Sequence, residues 1–242
     1  MRHNPFYFGR ASDLKRSPHD RKLTTPRPKV ENPVGMCSRF SETKDEVKIK
    51  VRDRQLKFGY VPRYNVAPSQ RFPVIVEDAS GVHAVEMKWG WQPVWSKQLL
   101  INAQGETVTE KPTFRKYMHQ RCLIPADGFY EWTPDKTPIR FVKPRDEIFC
   151  MAGLWLETQK QELDVPTVER KFVIVTTAPN KTVGRVHNRM PLIVQPEHYG
   201  WWLAADGLFE NVLNFPDKEE LNWHPVSRAL NNPRNEGADL LK

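Results

Sequence analysis

The chain is divided into short strand-forming runs, and this pattern constrains its fold more than any other feature. Phe72–Glu77, Met87–Gly90, Arg121–Pro125, Gly128–Trp132, Ile139–Lys143, Ile148–Trp155 and Lys171–Thr177 are rich in β-branched and aromatic residues, and Pro, Gly and Asp punctuate them. Leu192–Val194 adds another apolar stretch behind Pro191. Helical signals are fewer. Thr113–Gln120 follows Pro112, Gln195–Ala205 has Pro196 near its first turn, and the charged stretch Glu42–Lys57 is a third candidate. From Cys37 onward there is no internal repeat and no low-complexity tract. The expectation is an α+β fold, mainly antiparallel β, with a barrel- or sandwich-like core and peripheral helices.

Composition narrows the function. Hydrophobic residues at 39% and charged residues at 27% suit a globular chain. No run approaches the roughly 20 apolar residues that span a bilayer, so no membrane partner is expected. Three cysteines without a CxxC pair argue against a disulfide framework or a structural zinc site, and they fit a reducing compartment. GxGxxG, GxxxxGK[ST], GxSxG and HExxH are all missing. Neither a cofactor nor a metal is expected.

Most of the net charge of +8 sits in one place. Residues 1–35 carry +5 and the remaining 207 residues only +3. A basic surface attracts polyanions, nucleic acid above all, but this body is only mildly basic. The first 35 residues hold five prolines and no apolar periodicity, so they read as a disordered basic extension ahead of a domain spanning 36–242. They lack the apolar core of a secretory signal.

Reactive side chains gather in four segments: Met36–Phe40 (MCSRF), Ile101–Thr107 (INAQGET), Gly128–Trp132 (GFYEW) and Val186–Pro191 (VHNRMP). Singly, each has a bland reading. A lone Cys is usually a small buried hydrophobe, which is the reading for Cys122 and Cys150. Glu131 on an alternating strand could face solvent, His187 could be a turn residue, and Trp89, Trp91, Trp95 and Trp132 read first as core.

The order is more telling. M-C-x-R-F is followed by R-Y-N-V-A-P (Arg63–Pro68), W-G-x-x-P-x-W (Trp89–Trp95), N-A-x-x-E-T, R-C-L-I-P-A-D-G-F-Y-E-W (Arg121–Trp132), A-G-L-W (Ala152–Trp155), T-T-A-P-N (Thr176–Asn180), V-H-N-R-M-P and H-P-V-S (His224–Ser227). From Cys37 to about Leu241 this series resembles the SOS response-associated peptidase family, whose members shield abasic sites in single-stranded DNA. Nothing in the sequence suggests more than a monomer, and the expected location is cytoplasmic, nucleoid-associated during DNA damage, or nuclear in a eukaryote. The resemblance also implies chemistry at a cysteine that has become the first residue. A free α-amine and a thiol on one residue can condense with the aldehyde of a ring-opened abasic site to a thiazolidine. An α-amine titrates near 7.7–8, against about 10.4 for lysine, so far more of it is neutral and nucleophilic at neutral pH.

The catalytic set implied by the resemblance is Cys37, Asn102, Glu131 and His187. Asn102 would hold the amine or the crosslink. Glu131 would orient and deprotonate the amine. His187 would serve as general acid/base on the sugar ring oxygen as it opens. Arg39 and Arg189 would contact phosphates, while Asn65, Pro68, Trp89 and Thr176 would line the DNA track.

Three features depart from the family pattern. The cysteine stands at position 37, behind residues that would leave its nitrogen a non-basic amide. Either Met36 is the true start, or cleavage at Met36–Cys37 exposes the amine, or this member does not crosslink. Ser38 replaces a glycine. Gln104 replaces an arginine, with Lys111 supplying part of the lost charge, so weaker affinity and a shallower salt dependence are expected. Two other readings stay open: a thiol peptidase using Cys37 and His187 with Asn102 or Glu131, and a non-covalent single-strand DNA-binding module. A lyase activity through the imine could accompany crosslinking.

Overall fold

The computed structural model describes residues 37–162, 165–204 and 220–242. The basic extension and Met36 therefore lie outside the described residues, as does Ala205 at the end of the second expected helix. Fifteen strands occur among the described residues: β1 (Arg39–Glu42), β2 (Glu46–Val51), β3 (Arg54–Gly59), β4 (Arg63–Val66), β5 (Arg71–Asp78), β6 (Gly81–Trp89), β7 (Asn102–Gln104), β8 (Arg121–Ala126), β9 (Gly128–Trp132), β10 (Pro138–Val142), β11 (Phe149–Glu162), β12 (Val165–Thr177), β13 (Met190–Pro191), β14 (Ile193–Val194) and β15 (Asn222–Pro225). Five of them close a barrel in the order β12-β6-β5-β8-β11 and back to β12, with β7, β13 and β14 added at its margins. All the neighbours in that ring are antiparallel except β12 and β6. A second sheet, ordered β15-β10-β9-β1-β4, packs against the barrel.

The continuous apolar runs become barrel strands because both of their faces are buried. In β5, Phe72, Val74 and Val76 enter one core and Ile75 the other; in β12, Phe172 and Ile174 alternate in the same way with Val173 and Val175. The first core joins all five barrel strands to Phe40, Phe129 and Phe141 of the second sheet. The second core is covered by Val47 and Ile49 of β2 and by Tyr199, Trp202 and Leu203 of a short helix.

Three expectations for local structure are corrected. The charged stretch Glu42–Lys57 is not helical: it forms the end of β1 and most of the β2–β3 hairpin. Val47, Ile49 and Val51 alternate with outward Lys48 and Lys50, so the period is two residues and the strand buries one face. Thr113–Gln120 is helical only over α1 (Pro112–Arg115) and continues as turns. Gln195–Ala205 is a 3₁₀ turn, Pro196–His198, leading into α2 (Tyr199–Leu203).

The crossing from barrel to second sheet positions the site. At Asp127 the chain leaves β8 for β9. The Asp127 carboxylate, 1% exposed, receives Arg140 at 2.9 Å, the Ser41 hydroxyl at 2.7 Å and the Thr43 N–H at 2.9 Å. Arg140 passes directly over Gly128, where an added Cβ would lie 2.7 Å from the guanidinium nitrogen. The D-G pair thus anchors β9 and clears the path of Arg140. Beside it, Glu42 is fully buried, and burial followed by the Asp127 carboxylate raises its pKa to about 8.

This buried acid has a consequence for stability. Its folded pKa lies above the unfolded value, so its contribution is complete below about pH 4 and is lost as pH rises toward 8. Each unit of displacement is worth about 1.4 kcal/mol. Glu42→Gln, which keeps a neutral side chain of the same shape, should gain stability over the parent as pH is raised from 5 to 9, measured by urea unfolding. Parallel curves across that range would show that Glu42 ionises without penalty.

Candidate functional site

The register of the second sheet brings the leading cysteine to Glu131. Arg39 of β1 pairs with Tyr130 of β9, so residues just before Arg39 run past Glu131. Cys37 adopts a left-handed conformation with φ of 43°. That is unusual for a non-glycine residue and typically costs about 1–3 kcal/mol. The thiol is buried and the Cys37 N–H donates to Glu131 Oε1 at 2.8 Å. Because the positive φ falls on Cys37, Ser38 is not where a glycine's freedom is used.

Glu131 is 1% exposed, so the solvent-facing alternative for this residue is overturned. Burial lifts its pKa to about 7, with the Cys37 hydrogen bonds pulling the other way. Burial and the adjacent Glu131 carboxylate push the Cys37 thiol well above its usual range. On the other side of the same carboxylate, His187 Nδ1 stands 3.9 Å from Glu131 Oε2. The His187 ring is nearly buried and its pKa is lowered, chiefly by burial. Its Nδ1 lies 3.2 Å from the Arg189 N–H and 3.3 Å from the Arg189 carbonyl, so the turn holds the ring through this nitrogen. Nε2 is buried without a hydrogen-bond partner among the described residues. A single carboxyl group therefore links a chain nitrogen to an imidazole whose other nitrogen is left for a substrate.

The surrounding residues divide by accessibility. Arg189 is largely buried and heavily engaged, with Nη1 and Nη2 donating to Glu106 at 2.8 and 2.7 Å and Nη2 also to the Thr176 carbonyl at 2.8 Å. Arg39 lies over the Trp132 ring at 5.8 Å and donates to the Leu230 carbonyl. Asn102 is half-buried at the start of β7, beside Ile174 of β12. Pro68 is half-buried, and Lys111 and Gln104 are exposed.

Asn65, Trp89 and Thr176 do not present a surface on which DNA could lie. Asn65 is fully buried and its amide donates to the carbonyls of Leu230, Asn232 and Asn235, tying down the C-terminal segment. Trp89 is in the core, stacked on Phe172 and donating to the Ile101 carbonyl. Thr176 is fully buried beneath Arg189. Trp95, read first as core, is 67% exposed. Sequence reasoning missed the Glu106–Arg189 pair, although E-T in one motif and N-R in another carry both partners.

Among the described residues no group of three His, Cys, Asp or Glu is placed to hold a metal, and no helix is long and apolar enough to cross a membrane.

Comparison with known proteins places this geometry. The family model described as SOS response associated peptidase (SRAP) matches residues 36–233. The chain belongs to the SRAP family. Its relatives include abasic site processing protein YoaM of Bacillus subtilis, 36% identical over 202 residues, covering 76% of this chain and 86% of YoaM. Abasic site processing protein YoqW of the same organism is 35% identical over 227 residues, covering 86% of this chain and 99% of YoqW. Among solved structures, a phage-related protein from Bordetella bronchiseptica superposes with a TM-score of 0.61 at 25% identity, covering 78% of this chain and 94% of that one. A Bacteroides thetaiotaomicron protein at 24% identity gives the same score, covers 74% of this chain and 84% of its own, and shares the fold. The SRAP match begins one residue before Cys37, so the cysteine with the left-handed backbone stands at the head of the family's domain.

Proposed function

We propose that this SRAP protein captures abasic sites in single-stranded DNA as a covalent thiazolidine through Cys37, once the residues before Cys37 are gone. The observation that carries the reading is the 2.8 Å hydrogen bond from the Cys37 nitrogen to a buried carboxyl group whose other oxygen faces His187. Glu131 is placed to take a proton from an α-ammonium at that position. His187 would take the proton of the anomeric hydroxyl at Nε2 and pass it to the ring oxygen as the sugar opens to the aldehyde, so that the imidazole ends neutral. The neutral amine then attacks the aldehyde carbon and water leaves, giving an imine. The thiol sulfur adds to that carbon, its proton passes to the nitrogen, and the five-membered ring closes. The net change is the loss of one water. Arg39 and Arg189 are the candidates for contact with flanking phosphates, and Asn102 is the candidate to hold the nitrogen. An abasic site offers no base edge, so the reading implies little sequence preference.

The thiol-peptidase reading has less support. A nucleophilic cysteine is normally activated by a nearby cation or a hydrogen-bonded imidazole that lowers its pKa. Here a carboxyl group adjoins the thiol and moves it the other way. Cleavage at Met36–Cys37 and imine-dependent strand cleavage both remain compatible with the crosslinking site.

The test is to incubate protein beginning at Cys37 with an oligonucleotide containing one abasic site. A denaturation-resistant adduct is expected, with the summed mass of both partners less one water. Tight binding without an adduct would instead identify a non-covalent module.

A further inference from the structure

The turn that carries His187 is held from outside. Glu106 lies in the 3₁₀ turn Gly105–Thr107 just after β7, and its two carboxylate oxygens grip both terminal nitrogens of Arg189. The same carboxylate accepts the Ala178 N–H at 3.1 Å, where the chain leaves β12. Arg189 in turn reaches the carbonyl and hydroxyl of Thr176, at 2.8 and 3.2 Å. Three segments thus meet in one clamp: the turn after β7, the end of β12 and the loop entering β13. Two residues back along that loop, the Arg189 N–H sets the His187 ring through Nδ1. The clamp's only acid is Glu106, and nothing in the catalytic reading requires it to touch DNA.

Resting on the reading above, we propose that Glu106 is a positioning residue for ring opening: it fixes Arg189 and, through the Arg189 backbone, the orientation in which His187 presents Nε2 to the sugar. A bidentate carboxylate–guanidinium pair is directional in a way that a single hydrogen bond is not. Without it, the guanidinium keeps only its Thr176 contacts and the loop gains freedom. Displacements of about 1 Å in a catalytic group can cost about a hundredfold in rate. The Arg189 guanidinium is also largely committed within the protein, so its part in phosphate contact is limited to the donors the clamp leaves over.

The experiment compares two substrates. One is DNA with a natural abasic site, which must open its ring before it can react. The other is DNA bearing an open-chain aldehyde that has no hydroxyl with which to cyclise. The protein is the chain beginning at Cys37. Glu106→Gln keeps the size of the side chain but gives up the charged bidentate pair. It is expected to slow adduct formation at the natural site about tenfold or more, while the open-chain aldehyde reacts within about twofold of the parent rate. Glu106→Asp, which restores the charge, should recover part of the natural-site rate. An equal fall with both substrates would mean a general structural role and overturn the inference, as would parent rates with both. No adduct from the parent with either DNA would overturn the crosslinking reading and this inference with it. His187→Ala serves as the control: it should show the same split between substrates, and an equal fall with both would remove ring opening from His187 and the inference as well.

Discussion

Protein that retains Met36 ahead of Cys37 should form no denaturation-resistant adduct with abasic-site DNA, while protein beginning at Cys37 should form one. The difference is one of bonding. With a residue in front, the Cys37 nitrogen is an amide; its lone pair is delocalised into the carbonyl, and it can only donate its hydrogen to Glu131, as it does at 2.8 Å. The thiol alone could still add to an aldehyde, but the resulting hemithioacetal reverts and would not survive denaturation. Once the nitrogen is free, it becomes a basic amine in the same place, beside the same carboxyl group. Cys37→Ala with a free amine separates the two halves of the chemistry: it should give an imine that borohydride traps but that dissociates without trapping. An adduct of undiminished yield from protein with an intact Met36–Cys37 bond would refute the mechanism.

How much of this was legible in the sequence depended on which physical signal each segment carried. Barrel strands such as Phe72–Glu77 and Lys171–Thr177 were readable because strands buried on both faces are continuous apolar runs. The β2–β3 hairpin was not, because Lys48, Lys50 and Lys57 gave the stretch the look of a charged helix and obscured the alternation of Val47, Ile49 and Val51. The four site segments stood out by density of reactive groups, but position along the chain could not say which side chains were spent inside. Asn65 and Trp89 sit in motifs beside reactive residues, yet one caps three carbonyls and the other stacks in the core. The Asp127–Arg140 pair spans 13 residues and two strands, and the Glu106–Arg189 pair spans 83. Both depend on strand register, which no local pattern encodes.

Glu131→Gln is expected to slow crosslinking by about a hundredfold or more, the usual scale of a lost general acid/base, and to change its pH dependence. With the Cys37 nitrogen as an amide, burial lifts the Glu131 carboxyl group to about 7 against the pull of the Cys37 hydrogen bonds. With a free α-amine at the Cys37 nitrogen, the two groups titrate as a couple, and each holds the other in its charged form. The pair reacts once it holds a single proton, since that proton can reside on the carboxyl group and leave the amine neutral. Loss of the first proton from the doubly protonated pair therefore sets the rising limb of the rate, at or below about pH 7 in the parent. In the variant no carboxyl group is left to take up the proton, so the limb should follow the amine alone and depart from the parent's. His187 does not obscure this shift, because an open-chain aldehyde gives it no ring to open. Rates measured from pH 5.5 to 9 on the open-chain aldehyde, which bypasses ring opening, isolate the amine step. A variant that kept both the parent rate and the parent limb would place the proton acceptor elsewhere and leave the buried carboxyl group with a packing role only.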